Sequence, residues 1–290
     1  MNPPPPPLYI APWGSGQVYG DPNDPLVSHD FSSWFSKVFA AFKRSWKSLL
    51  IIQLIASIPS VILVLSLGSL RTSFLTTTSQ TVVPTFNVAS LVFSLLGVLL
   101  TLVLSSVAAG ASAHVVAHDA QRQLLGDQNR TTWQDGVRYG LSRFWPMLGY
   151  SIVIGTLTML GFFLCILPGV YAAVVFYSTA NAVIAFERGD VINRCFALIK
   201  GSWWEVFGRL IVVGIGLIAM SCITGLFSGG LSLAARSSGV SLVQVIIGRI
   251  LGLPTAMFVS VLPTLLYAEL RNKLEGVSTA QLAAASALPA

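Results

Sequence analysis

The sequence predicts an all-α, polytopic membrane protein with six transmembrane helices, built as three repeats of an interfacial amphipathic elbow helix followed by a helical hairpin. Three observations carry that prediction. Ser48 to Leu70 and Met147 to Phe186 contain no charged residue, and Asn87 to Val116 none apart from His114; uncharged apolar runs of about 18 residues or more read as spanning helices. The chain is 54% hydrophobic and only 10% charged, whereas soluble domains carry about a quarter charged residues. Its basic residues are also lopsided. Of 17 Lys and Arg, fourteen fall in or beside the elbows and chain ends, and only Arg71, Arg236 and Arg249 fall opposite. The positive-inside rule then assigns the elbows and both termini to the cytoplasmic side.

Each element follows in order. Residues 1–30 read as a disordered, Pro-rich cytoplasmic tail, because the run Pro3 to Pro7 favours polyproline II and few apolar groups follow. No cleavable signal peptide is expected, since an uncharged stretch precedes the first apolar run. From Phe31, the residues Phe31, Trp34, Phe35, Val38, Phe42 and Trp46 recur at helical spacing, with Lys37, Lys43, Arg44 and Lys47 between them. This is an amphipathic helix suited to the membrane interface. It leads into a first span over about 48–70, with a kink expected at Pro59, and then a Ser/Thr-rich loop over 71–85.

The second span, about 88–113, ends in the small-residue run Ala108 to Ala113, which permits close helix approach. A polar segment with Arg122, Asp127 and Arg130 follows. Trp133, Val137, Leu141 and Trp145 form the second elbow, then spans over 147–167 and 169–187 joined by a tight turn at Pro168-Gly169. Val191, Cys195, Ile199 and Trp203 form the third. A span over 206–228, a loop, a short outer-face helix over 240–253 and a last span over 251–269 with Pro254 and Pro263 complete a membrane domain of residues 31–277. Residues 278–290 read as a disordered Ala-rich tail.

The repeat aligns on Trp46, Trp145 and Trp203. Twelve residues earlier stand Trp34, Trp133 and Val191, and basic residues precede each anchor: Lys43 and Arg44, Arg143, and Lys200. Six of the seven Trp lie in the elbows, Trp204 among them. These aromatic and basic side chains are the expected membrane-interface residues. Membrane lipids, with anionic head groups at the cytoplasmic face, are the expected partners.

The same residues bound the chemistry. None of the 11 Asp and Glu is expected mid-span, which weighs against an ion-coupled transporter. Cys165, Cys195 and Cys222 are scattered, so neither a disulfide framework nor a Cys-based zinc site is expected. His114 and His118 stand four apart beside Asp119 and are weak metal candidates. A catalytic zinc needs a third ligand that no motif supplies, and packing is the favoured reading. There is no Walker loop, dinucleotide fingerprint or GxSxG elbow, and no cofactor is expected. Gly136/Gly140, Gly225/Gly229 and Gly248/Gly252 read as helix-packing pairs. Gln53 and Asn181 are the expected interior polar residues, and Arg209, one turn inside the fifth span, is expected to snorkel to the interface. The net charge of +6 follows from the positive-inside bias, so nucleic acid is not an expected partner.

Two stretches carry a family resemblance: Arg194 to Arg209 (RCFALIKGSWWEVFGR) and Leu266 to Gly276 (LYAELRNKLEG). Together with the elbow-and-hairpin layout over about residues 31–277, they resemble bacterial, actinobacterial-type multi-span proteins labelled "glycerophosphoryl diester phosphodiesterase membrane domain". The resemblance implies a membrane module. It transfers no catalytic residue, because the phosphodiesterase barrel in that label is a separate domain of roughly a couple of hundred residues. The expected function is therefore a non-enzymatic accessory or scaffold component of the cell envelope, with another envelope protein as partner. The alternative is a permease or lipid-handling protein, favoured by a central cavity lined by Gln53, Ser105, Thr156, Ser178 and Asn181 and disfavoured by a packed centre. An intramembrane enzyme would have only His114 and His118 to use.

Overall fold

The computed structural model describes residues 24–28, 30–75, 88–127, 129–234 and 242–287. The proline run, Trp13, His29, Arg236 and residues 76–87 of the Ser/Thr-rich loop lie outside them. Among the described residues every regular element is a helix: α1 (Phe31–Leu75), α2 (Val88–Leu124), α3 (Trp133–Ser142), α4 (Phe144–Leu164), α5 (Ile166–Phe186), α6 (Val191–Ile199), α7 (Trp203–Ala234), α8 (Leu242–Glu275) and α9 (Thr279–Ala287).

The first elbow and the apolar stretch after it are one helix. Asp30 and Ser33 cap its start reciprocally: the Ser33 N–H donates to Asp30 Oδ1 at 2.9 Å and the Asp30 N–H to Ser33 Oγ at 3.2 Å. Pro59 lies within this helix without interrupting it. The second and third elbows are separate short helices, capped by Thr132 accepting from the Asp135 N–H and by Asp190 accepting from the Asn193 N–H. Gly201, at φ +87°, reverses the chain between α6 and α7.

Three expected boundaries move. The break between α4 and α5 falls at Cys165, which is extended, and not at Pro168-Gly169. Pro168 sits in the first turn of α5, where its missing N–H is harmless. Gly169 lets that hairpin close, since a Cβ there would stand 2.5 Å from Phe162 Cγ. The expected outer-face helix and last span merge into the 34-residue α8, about 50 Å long. And α2 runs on past the expected end of the span into the start of the polar segment, as far as Leu124.

Among the described residues, five helices (α2, α4, α5, α7 and α8) are long and apolar enough to cross a membrane. The packing suits a bilayer. α5 sits centrally against α2, α4, α6, α7 and α8, with Val175, Ala182, Val183 and Ala185 buried. α4 and α7 present Met159, Phe163, Ile215, Ile223, Leu226 and Phe227 outward. An apolar surface that broad is suited to lipid or a partner, not to water.

The described parts of the two expected tails, within residues 24–28 and 279–287, are packed against the helices. Leu26 and Val27 are buried, as are Leu282 and Ala283 of α9. Asp24 joins the two ends: it accepts from the N–H groups of Leu26 (3.0 Å) and Val27 (3.2 Å), and from the N–H of Thr279 at 2.9 Å and the Thr279 hydroxyl. One carboxylate thus folds the entry segment and caps α9.

Candidate functional site

Small side chains leave space where α1, α2, α5 and α8 meet. The result is a cavity of about 690 Å³, within the range of about 300–1,000 Å³ usual for ligand sites. α8 contributes one continuous face at helical spacing, including Val245, Arg249, Gly252, Ala256 and Ser260. α1 contributes Gln53, Ser57 and Ser60, α2 Thr101, Ser105 and Ala109, and α5 Tyr177 and Asn181.

The hydroxyls are largely satisfied by their own helices. Ser57 donates to the Leu54 carbonyl (2.7 Å), Thr101 to Gly97 (2.7 Å), Ser105 to Leu102 (3.1 Å) and Ser260 to Met257 (2.7 Å). They offer lone pairs to an occupant, and their protons are committed. The free donors are different groups. The amides of Gln53 and Asn181 and the guanidinium of Arg249 line the cavity and make no hydrogen bond or ion pair among the described residues. Gln53 and Asn181 are thus where the sequence expected polar interior groups, though they face a cavity and do not bond helix to helix. Thr156 lies on the exposed outside of α4, and Ser178 is buried, donating to the Val174 carbonyl at 2.7 Å; neither lines the cavity.

A charged layer closes the elbow side of the bundle. Arg209, expected to snorkel, is instead buried. It bonds Glu269 at 2.6 Å and Glu205 at 2.6 Å, and Trp34 stacks over it at 5.4 Å. Lys273 pairs with Glu205 at 2.7 Å and Glu269 at 3.1 Å, and the Ser28 hydroxyl donates to Glu269. Beside it, Glu187 accepts from Arg194 (2.7 Å) and from the Tyr267 hydroxyl (2.6 Å), while Arg271 and Arg194 both hold Glu275. Burial lowers the Arg194 pKa, but its bonds to Glu187 and Glu275 prevail and hold it above the ordinary value. Burial pushes the Cys195 thiol up to about 11. Sequence spacing carried part of this signal: Glu205/Arg209, Glu269/Lys273 and Arg271/Glu275 are i,i+4 pairs. The contacts between α7 and α8 were not legible.

The expected interface residues divide. Trp46, Trp145 and Trp204 are exposed, as are Lys43 and Lys200, while Trp133 and Arg143 are half-buried. Trp34 is fully buried under Arg209, which removes it from the interface. Trp203 stacks on Tyr171 (5.5 Å) and Phe207 (4.8 Å) because α6 folds back along α5, with Phe196 beside Phe176 at 5.5 Å. Arg44 lines a second, smaller pocket with Asp119, Gln123 and Arg130, and burial lowers its pKa. Asp119 accepts from the Ser45 hydroxyl at 2.7 Å and the Thr131 N–H at 2.6 Å.

His114 and His118 have ring centroids 4.1 Å apart. His114 stacks on Tyr139 at 4.4 Å, and His118 Nε2 bonds Ser286 Oγ of α9 at 2.8 Å. Among the described residues no group of three His, Cys, Asp or Glu side chains is placed to hold a metal.

Fold and site together define a class: an all-helical chain with several membrane-compatible spans and an internal polar-lined cavity. In comparisons with known proteins, no family model, no curated protein and no solved structure matches the chain.

Proposed function

We propose that this chain is a six-span, non-enzymatic protein of a bacterial inner membrane that holds an amphiphilic molecule in the cavity between α1, α2, α5 and α8. In this reading the second half of α1 is the sixth span, the elbows form three related units, and both termini face the cytoplasm. The exposed aromatic and basic elbow residues rest among anionic head groups there. The family resemblance over residues 31–277 is part of the same proposal, as a membrane module without a phosphodiesterase domain.

One observation carries the reading. The cavity has small-residue walls and is lined by the donors Gln53, Asn181 and Arg249, which make no hydrogen bond or ion pair among the described residues. Unsatisfied donors within an apolar bundle are costly unless something fills the space. Lipid handling therefore moves ahead of a purely structural role. The scaffold reading retains one specific support. α7 packs through Val206, Arg209 and Val213, but its later residues Ile218, Ile223, Leu226 and Phe227 stay exposed, leaving a face for another membrane helix.

Native mass spectrometry of the protein purified in mild detergent tests the proposal. The expected result is about one lipid-like molecule retained per chain, reduced about tenfold or more by Gly252→Phe, which fills the cavity, with melting temperature unchanged. Equal retention by the filled variant would overturn it.

A further inference from the structure

Among the described residues, Arg249 is the one cation lining the cavity. It is half-buried, and no carboxylate among the described residues pairs with it. A lone guanidinium in a membrane-embedded wall is expensive. Its planar fork of donors matches the oxygens of a phosphate or carboxylate.

Its depth narrows the choice. Glu269, in the charged elbow-side layer, lies 20 residues further along the same uninterrupted helix, so about 30 Å of helix separates the two. That is about the thickness of the hydrocarbon core. With Glu269 at the elbow-side boundary, Arg249 stands at the opposite boundary, where lipid phosphates lie. From there the cavity runs inward along Ala256, Ala109 and Ala108 to Gln53. Gly248 and Gly252 flank the guanidinium, and a Cβ at either would meet nothing within 4 Å.

We infer that Arg249 holds the phosphate of an anionic phospholipid from the leaflet opposite the elbows, with an acyl chain lying along the small-residue walls. The inference rests on the cavity reading above and adds the ligand's charge class, orientation and leaflet. The guanidinium and the amides of Gln53 and Asn181 then gain acceptors, and the Ala and Gly walls gain an apolar partner.

The test uses the full chain in nanodiscs of phosphatidylglycerol and phosphatidylethanolamine in equal amounts, extracted into mild detergent and weighed by native mass spectrometry. The wild type is expected to retain phosphatidylglycerol over phosphatidylethanolamine by about tenfold, because both carry the phosphate but the ethanolamine ammonium repels the guanidinium at short range. Arg249→Gln is expected to lower that ratio at least about fivefold with the melting temperature unchanged. Arg249→Lys keeps the charge and is expected to retain most of the preference, which separates loss of the site from loss of the fold. An unchanged ratio in folded Arg249→Gln overturns the inference and leaves the cavity reading standing. Wild-type protein that retains no lipid at all overturns both. A phosphatidylglycerol signal displaced completely by millimolar inorganic phosphate would make the ligand a soluble anion and overturn the lipid assignment.

Discussion

Arg209 and Glu269 are buried side by side, and their surroundings decide what each contributes. Glu269 takes Arg209 at 2.6 Å, Lys273 at 3.1 Å and the Ser28 hydroxyl. Removing its charge leaves a buried guanidinium with only Glu205 at 2.6 Å. Breaking one partner of a buried pair costs about 3–5 kcal/mol, whereas replacing both by apolar side chains is often neutral. Glu269→Gln is therefore expected to lower the melting temperature in detergent sharply, and Arg209→Met with Glu269→Leu to restore most of it. A double variant as unstable as the single one would show that the remaining members, Ser28, Lys273 and Glu205, need the pair. Cys195 gives a second residue-scale expectation. It is buried, and burial raises its thiol to about 11. The thiolate is the reactive form, and below that value it is scarce. At pH 8 in detergent, Cys195 is expected to resist maleimide while exposed Cys165 reacts. Raising the pH toward 11 should speed the reaction of Cys195.

At the scale of elements, glycine pairs separate by what faces them. A Cβ on Gly140 would stand 2.3 Å from the Val107 carbonyl oxygen, and one on Gly136 2.7 Å from Val115 Cγ2. These two seat α3 on α2. A Cβ added at Gly248, Gly252 or Gly225 would meet nothing within 4 Å, and the α8 pair lines the cavity. Gly140→Leu is expected to cost about 1–3 kcal/mol by overpacking and to expose α3 to protease, while Gly225→Leu leaves melting unchanged. The comparison explains what the sequence could and could not disclose. Periodicity and apolar run length located the apolar helices, because those depend on local spacing. It missed the docking of the ends, because Asp24 and Thr279 are 255 residues apart. Trp34 was read as an interface anchor, because a Trp at an amphipathic boundary looks the same whether lipid or Arg209 covers it. Gln53 and Asn181 stood out as polar groups in apolar runs, but the space they face depends on how four helices meet. The Asp24 clasp has its own test. Asp24→Ala removes the cap of α9, a loss of about 1 kcal/mol, and amide exchange over residues 279–287 should quicken about fivefold.

At the scale of the whole molecule, the charge distribution fixes a direction that the three native cysteines can read. The charged layer of Arg209, Glu269, Arg194 and Glu275 lies on the elbow side. The connection between α4 and α5 at Cys165 is exposed and flanked by Phe163, Leu164, Ile166 and Leu167, with no charge nearby to hold it in the cytoplasm. In the proposed orientation Cys165 lies at the outer boundary. Cys222 lies within the apolar span of α7, away from a water-borne reagent, and Cys195 is buried on the elbow side. A membrane-impermeant maleimide added to intact cells should therefore modify Cys165 alone, and Cys165→Ser should abolish labelling. Inverted vesicles should lose the Cys165 signal. Labelling of Cys165 in inverted vesicles but not in intact cells would invert the topology. It would also move Arg249 to the cytoplasmic leaflet, so this result and the phospholipid preference together fix from which leaflet the cavity is filled.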